Sequence, residues 1–279
     1  MSELDLAREI AGEIVERNTE PALRFTLEKG EPGIFESKVG GTPYLPRGME
    51  WPVDADGNAM GLLAQVDCAA LAALPDFPHT GLLQFFVALN DTWGLSFGDQ
   101  TEQANFRVLY HETVDPSVTA EEVNAKGQPH PEDYGSPVCE ACRILFAGPS
   151  VQHISEADFR AWGQFLAKWN EIHGTVFKDQ WEFYQATKID GEFPHEEEDK
   201  GPYHQLGGYP YFTQQDPRRW DEYGDMDVLL FQLDSDMRRR SEGGDLVMWG
   251  DCGVGNFFIS REALRRRDFS RVCYNWDCC

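Results

Sequence analysis

The sequence of 279 residues has no apolar run close to the roughly 20 residues that a membrane-spanning helix needs. Its first residues, Met1-Ser2-Glu3-Leu4-Asp5, carry acids where a secretory signal peptide carries bases. Basic residues are also scarce: 24 Lys and Arg stand against 48 Asp and Glu, for a formal net charge of −24. Because acidic surfaces repel phosphate and anionic lipid headgroups, we expect a cytoplasmic protein that binds neither nucleic acid nor membranes.

The sequence contains no G-x-S-x-G elbow, Walker A motif, dinucleotide-binding glycine pattern or H-E-x-x-H motif. The common nucleophile and cofactor classes therefore lose their support, and we predict no cofactor. A single Cys-x-x-Cys pair, Cys139 and Cys142, would need Cys273, Cys278 or Cys279 to complete a four-thiolate zinc site. Reduced, unpaired thiols are the simpler interpretation for a cytosolic chain, and we predict no metal.

Two acidic stretches carry oxygen atoms of the kind that bind divalent cations. Asp54, Asp56 and Asn58 have the spacing that starts a calcium loop, but Gln65 stands where the twelfth position needs glutamate. The second stretch, His195–Asp199, lies in a charged run beside glycine and proline, which indicates a solvated loop. We therefore assign a metal to neither stretch.

What the sequence does contain is a pair of motifs that occurs twice at one separation. The repeats keep their order: 39–45 recurs as 206–212 and 62–67 as 229–234, with a looser match of 81–86 to 244–249. Gly40 and Gly207 are 167 positions apart (207 − 40), as are Gln65 and Gln232 (232 − 65), so no net insertion separates the motifs. This spacing predicts an internally duplicated fold, with two similar halves related by a pseudo-two-fold axis.

Periodicity places these motifs in an α+β fold with mainly antiparallel sheets and flanking helices, because short strands outnumber helices without alternating with them. Ser2 and Asp5 form a capping pair before a helix to about Arg17, and Ser155 with Asp158 opens a helix expected between the halves. Further predicted elements are strands at 23–27, 61–66, 81–89, 106–110, 143–147, 228–233, 246–249 and 256–260, an acidic loop at 111–137 and a basic helix at 261–267.

We expect these elements to form one compact domain. Its parts would be an N-terminal helix and strand, a first repeat half, a linking helix region and a second repeat half, at 1–29, 30–150, 151–185 and 186–279. A chain of this length can bury a sizeable core as one large domain or as two packed halves.

The duplicated motifs also supply the candidate binding residues. A Gly-Gly-x-Pro-Tyr segment forms a structural corner, which needs no ligand, or the wall of a binding cleft, and one segment can do both. Asp67 and Asp234 either face each other as an acid/base pair or each cap the turn after its strand. We assign no residue to catalysis, and the residues assigned to binding are Gly40, Gly41, Tyr44, Trp51, Gln65, Asp67, Gly207, Gly208, Tyr211, Gln232, Asp234 and Trp249.

Four ordered motifs carry a resemblance to a known family: 38–46 (KVGGTPYLP) with Trp51-Pro52, then 62–67, 206–211 and 230–234. Together they resemble the bacterial YwqG-like family of unknown function, from about residue 30 to the end. That resemblance implies a duplicated α+β fold, a cytoplasmic location and no established activity. Some bacterial relatives are thought to accompany secreted toxin systems as immunity or accessory proteins.

The same motifs are remotely similar to the programmed-cell-death-type ribosome-biogenesis proteins, which are thought to hold newly made ribosomal protein. Those proteins carry a Cys-x-x-Cys zinc element between the two motifs. In this sequence the corresponding stretch is 54–60 and holds no cysteine pair, so the zinc element does not carry over.

Two main functional hypotheses follow from these observations, beside a weaker third, a scaffold stabilised by a metal. The first is a binding protein, not an enzyme, whose cleft or sheet edge near the Gly-Gly-x-Pro-Tyr corners accepts a peptide or protein segment, and a basic one because the chain is acidic. The alternative is a protein that binds or hydrolyses a sugar or other small ligand through Asp67 and Asp234. The alternative requires both carboxyl groups to line one pocket.

Overall fold

The computed structural model describes residues 2–127, 129, 135–189, 203–219, 221–238 and 244–279. Within these ranges the α-helices are α1 Glu3–Arg17, α2 Ala120–Asn124, α3 Phe159–His173, α4 Gln180–Thr187 and α5 Arg261–Arg265. The strands are β1 Thr19–Lys29, β2 Lys38–Val39, β3 Gly61–Asp67, β4 Leu82–Val87, β5 Phe106–His111, β6 Cys142–Phe146, β7 Ser150–His153, β8 Gln205–Gly207, β9 Val228–Asp234, β10 Val254–Ile259 and β11 Cys273–Asp277. None of these helices is long and apolar enough to cross a membrane.

The strands form one sheet in the order β11-β10-β9-β8-β1-β6-β2-β3-β4-β5, with β7 added beside β1. All pairings between these strands are antiparallel. The long strand β1 and its partner β6 lie at the centre. On either side is an arm of four strands in matching order, which we call the first arm (β2–β5) and the second arm (β8–β11).

The two arms face each other across the main hydrophobic core. The Phe85 ring on β4 lies 4.6 Å from the Phe231 ring on β9, and the Phe106 ring on β5 lies 5.1 Å from the Tyr274 ring on β11. The sheet is therefore curled into a nearly closed, barrel-like shape. Strands β4, β9 and β10 are buried along their whole length, as their near-continuous apolar sequences predict.

A second, smaller core is formed mainly by the helices α1, α3 and α4. The predicted capping box of α1 is present: the Asp5 amide donates to Ser2 Oγ at 3.1 Å and the Ser2 amide to Asp5 Oδ2 at 2.9 Å. The apolar stripe of α1 packs against α3, and Phe183 of α4 belongs to the same cluster. Helix α3 therefore forms a helical layer with α1.

Two sequence predictions need correction, and a third falls on residues that the structure does not describe. The N-cap of α3 is Asp158, since Ser155 supplies only a carbonyl to the Asp158 amide. The acidic segment 111–137 contains α2, which begins with a capping box of Thr119 and Glu122. The predicted run His195–Asp199 lies outside the described residues.

The third match of the repeat was also wrong. Residues 246–249 do not form a strand; Val247 makes only isolated bridges with Val138 and Asp236. The strand that pairs with β9, as β4 pairs with β3, is β10. Both stretches are apolar and buried, so hydrophobicity alone did not distinguish the strand from a buried loop.

Candidate functional site

Each Gly-Gly-x-Pro-Tyr segment makes a tight corner at the end of a short strand. The four glycines Gly40, Gly41, Gly207 and Gly208 have φ angles of +67°, +73°, +65° and +69°. This left-handed region strains other residues. A Cβ on Gly208 would also lie 2.2 Å from Gln152 Oε1. The backbone geometry thus accounts for both glycine pairs without a ligand.

A buried glutamine holds the tyrosine of each corner. Gln65 Oε1 accepts a hydrogen bond from the Tyr44 amide at 2.9 Å, and Gln232 Oε1 accepts one from the Tyr211 amide at 2.8 Å. Both glutamines are buried in the third position from the end of their strands, β3 and β9. Their role is to satisfy backbone groups that burial would otherwise leave unpaired.

A second polar side chain braces each corner from the preceding strand. Lys38 Nζ donates to the Thr42 carbonyl at 2.7 Å, and Gln205 Nε2 donates to the Tyr209 carbonyl at 2.7 Å. Lys38 pairs with Gln65 in the sheet as Gln205 pairs with Gln232. The two corners therefore share their hydrogen-bonding pattern as well as their sequence.

The two corner tyrosines differ in exposure despite this shared pattern. Tyr44 is 1% exposed and Tyr211 is 41% exposed. Residues 112–127, which follow β5 and which we call the covering segment, lie over Tyr44: the Asp115 amide donates to the Tyr44 hydroxyl at 3.0 Å. Tyr211 instead lines an open cleft.

This cleft has a volume of about 1600 Å³ and lies between the second arm and the helical layer of α3 and α4. Of the residues predicted for binding, Tyr211, Gln232 and Asp234 line it. The remaining predicted residues do not line it: Gly40, Gly41, Tyr44, Trp51, Gln65, Asp67, Gly207, Gly208 and Trp249. The predicted binding residues therefore do not form one site, and those that line the cleft all belong to the second arm or its corner.

Burial explains why the other predicted aromatic residues do not line the cleft. Trp249 is completely buried, and its ring lies 5.6 Å from Trp93 and 5.9 Å from Trp276 within the main core. Trp51 is also buried, and its Nε1 donates to the Met60 carbonyl. Gly207 and Gly208 line a different and much smaller pocket.

Asp67 and Asp234 do not form an acid/base pair facing one cavity. Asp67 Oδ1 accepts from the Ala69 amide at 3.0 Å and caps the 3₁₀ helix Cys68–Leu71, as the capping interpretation predicted. Asp234 lines the cleft, but its oxygens accept from the Tyr203 and Ser235 amides at 2.9 and 2.8 Å. Burial raises the pKa of Asp234.

The cleft also contains aromatic residues that sequence analysis did not assign to a site. Trp181 on α4 is 68% exposed, and the Tyr203 ring lies 5.7 Å from the Tyr211 ring. The Arg24 guanidinium lies over the Tyr203 ring, 5.4 Å from its centroid. No local pattern marks Trp181, since an exposed tryptophan on a short helix looks like any other apolar residue in sequence.

The cysteines are all free thiols, and Cys139 is exposed whereas Cys142 is buried in β6. Burial raises the pKa of the Cys142 thiol to about 11, which disfavours the thiolate that a metal ligand requires. In the part of the chain that the structure describes, no three His, Cys, Asp or Glu side chains are placed to hold a metal ion.

The fold and the cleft define a mainly antiparallel α+β protein with an open, aromatic-lined cleft beside one arm of its sheet. The chain belongs to the family described as "Domain of unknown function (DUF1963)", whose model matches residues 37–278. No curated protein matches the chain.

Proposed function

We propose that this protein binds a peptide or protein segment in the cleft between the second arm and helices α3 and α4. The observation that carries the proposal is the pairing of a large open cleft with exposed aromatic side chains, Tyr211 and Trp181. Pockets for small ligands are typically about 300–1000 Å³, and this cleft of about 1600 Å³ is larger. Exposed aromatic residues supply most of the affinity in many protein interfaces.

We propose that the partner is basic, with the net charge of −24 attracting it over a distance. The cleft itself is nearly balanced, so the attraction comes mainly from the rest of the surface. Its charged lining residues are Arg24, Lys178, Arg219, Glu156, Asp179, Asp216 and Asp234. Aromatic and amide groups would then provide the close contacts, and charge would mainly set the association rate.

We further propose that the chain is a YwqG-like member of its family, acting in the cytoplasm in a chaperone-like, toxin-immunity or accessory role. The corners of the two arms, with their matching hydrogen bonds at Gln65 and Gln232, support an origin by internal duplication. The matching strand order of the arms supports the same origin.

A second candidate is a protein that binds a sugar or other small ligand. Its specific support is the neighbouring Tyr203 and Tyr211 rings beside the Asp234 carboxylate, because sugar rings pack on aromatic faces while their hydroxyls bond to polar groups. The hydrolase version has no such support, since Asp67 does not line the cleft.

Both candidates are tested by screening the purified protein against arrays of basic, neutral and acidic peptides and, in parallel, against oligosaccharides. We expect binding to basic peptides that weakens as salt rises and falls about tenfold or more in Trp181→Ala. Phe97→Ala is the matched control, because Phe97 is 84% exposed and does not line the cleft. If no peptide binds, or both variants lose binding equally, the proposal is wrong; binding of oligosaccharides alone would favour the second candidate.

A further inference from the structure

The first arm already holds a peptide segment over its corner tyrosine, and that segment belongs to the same chain. Besides the bond from the Asp115 amide to the Tyr44 hydroxyl, Val118 and Val123 pack in the same hydrophobic cluster as Tyr44. The covering segment therefore binds Tyr44 in two ways, through a backbone N–H and through branched apolar side chains.

Arg47 fixes the covering segment through its acidic side chains. Its guanidinium donates to Asp115 Oδ2 at 2.8 Å, to Glu122 Oε1 at 2.9 Å and to the Ser117 carbonyl at 2.7 Å. Arg47 stands three residues after Tyr44, so the corner supplies both the tyrosine and the group that pairs with the acids of the segment. Charge thus contributes to which segment the first arm accepts.

On the second arm, the Tyr211 corner is exposed to the cleft and its neighbouring charges differ from those around Tyr44. Within the described ranges nothing hydrogen-bonds to the Tyr211 hydroxyl. Gln214 stands three residues after Tyr211, where the first arm has Arg47, and its side chain donates to the Cys278 carbonyl. Asp234 lies close enough to Tyr211 for its charge to add to burial in raising the tyrosine pKa. An acidic segment would therefore find glutamine in place of Arg47 and would meet the Asp234 carboxylate.

We infer that the Tyr211 corner takes a peptide segment built like the covering segment but with basic residues in place of its acids. Such a segment would donate a backbone N–H to the Tyr211 hydroxyl and place branched apolar side chains beside the ring. Lysine or arginine would stand where the covering segment has Asp115 and Glu122. This inference rests on the proposed function and specifies the chemistry of its ligand.

The test uses three synthetic peptides titrated into the full-length protein. The first has the native sequence 112–126, the second carries Asp115→Lys and Glu122→Lys, and the third is a scrambled version of the second. Fluorescence polarisation or calorimetry gives each dissociation constant. We expect the lysine peptide to bind about tenfold or more tightly than the native peptide, because the acidic protein repels the native peptide and attracts the basic one, and the scrambled peptide to bind weakly.

Two variants locate the site on the protein. We expect Tyr211→Ala to weaken the lysine peptide about tenfold or more, and Tyr211→Phe, which removes only the hydroxyl, to weaken it by a smaller factor. Phe97→Ala is the control: Phe97 is 84% exposed, does not line the cleft, and should leave the affinity unchanged. Thermal melts of all variants show whether the fold is retained.

The outcomes separate this inference from the proposed function. If the lysine, native and scrambled peptides bind equally, or if Tyr211→Ala binds as wild type does, the inference is overturned. Other peptides from the array that bind in a Trp181-dependent manner would leave the proposed function standing in that case. If no peptide from the array or from this set binds, the proposed function fails as well.

Discussion

Lys38 is a completely buried lysine on β2, and it should make the stability of this protein depend on pH. Its Nζ donates to the Gly33 and Thr42 carbonyls at 2.6 and 2.7 Å. Burial is the main cause that lowers its pKa from 10.5 to about 8, and the charge of Glu36 opposes this shift only in part. Gln205 makes the corresponding bond on the second arm with a neutral amide, so Lys38→Gln is a substitution that the fold already uses.

The sign of the effect follows from the lowered pKa. Between pH 8 and 10.5 the folded protein holds fewer protons on Lys38 than the unfolded chain does, so the Lys38 contribution to stability rises with pH in this window. At about 1.4 kcal/mol per pKa unit, a drop from 10.5 to about 8 corresponds to about 3 kcal/mol. Between about pH 7 and 10, the Lys38 contribution to the unfolding free energy should rise by roughly 2–3 kcal/mol of this total.

Other buried groups act in the opposite direction but cancel in a comparison of variants. Burial raises the pKa of the Cys68 and Cys273 thiols to about 12, so their contributions fall as pH rises above the ordinary thiol value. Because both thiols are present in wild type and in Lys38→Gln, the difference between the two proteins isolates Lys38, provided that the sites are independent.

The assay is urea unfolding in the presence of a reducing agent at several pH values from about 7 to 10. We expect the unfolding free energy of wild type, minus that of Lys38→Gln, to rise by about 2–3 kcal/mol over this range. Lys168→Gln, on the exposed side of α3, is the matched control, and its difference from wild type should stay constant. Parallel pH curves for wild type and Lys38→Gln would refute the reasoning.

Two further predictions concern backbone strain and a buried ion pair. Gly208→Ala should lower the unfolding free energy by more than about 1–2 kcal/mol, because the new Cβ would clash with Gln152 and the residue would keep a strained positive φ. Gly57→Ala is the control: its φ is +85° but its surroundings are open, so only the backbone strain of about 1 kcal/mol lowers its unfolding free energy. Equal urea midpoints for the two variants would contradict this. Asp158→Ala should lower the unfolding free energy by about 3–5 kcal/mol, because it leaves the completely buried Arg218 with only one carboxylate partner, Asp216. A decrease below about 1 kcal/mol in the same assay would contradict this and show that Asp216 or water compensates.

Elements specified by neighbouring residues were predictable from the sequence. The capping box of Ser2 and Asp5, together with the helical spacing of Ile10 and Ile14, predicted α1 to its last residue, Arg17. Ser260 likewise caps α5, as expected. In these cases the interactions that define the element lie within one or two turns, so their pattern can be read locally.

The pairing of strands and the extent of the cleft were less predictable. The stretch 246–249 and strand β10 are both apolar, and only the fit of β10 along β9 decides which of them joins the sheet. The part of the helical wall that carries Trp181 comes from α4, which the sequence did not predict. Its position depends on packing of Phe183 against α3, a contact that no local pattern encodes.

The two corner tyrosines show most clearly what the sequence determines and what the tertiary structure decides. The sequence by itself determined the corners, because glycine, proline and a glutamine on the adjacent strand specify the same turn and the same hydrogen bond at both corners. Only the tertiary structure decided which corner is open. Tyr44 is covered by Asp115, 71 residues further along the chain, and Tyr211 faces a cleft, so exposure depends on long-range packing that such similar local motifs cannot specify.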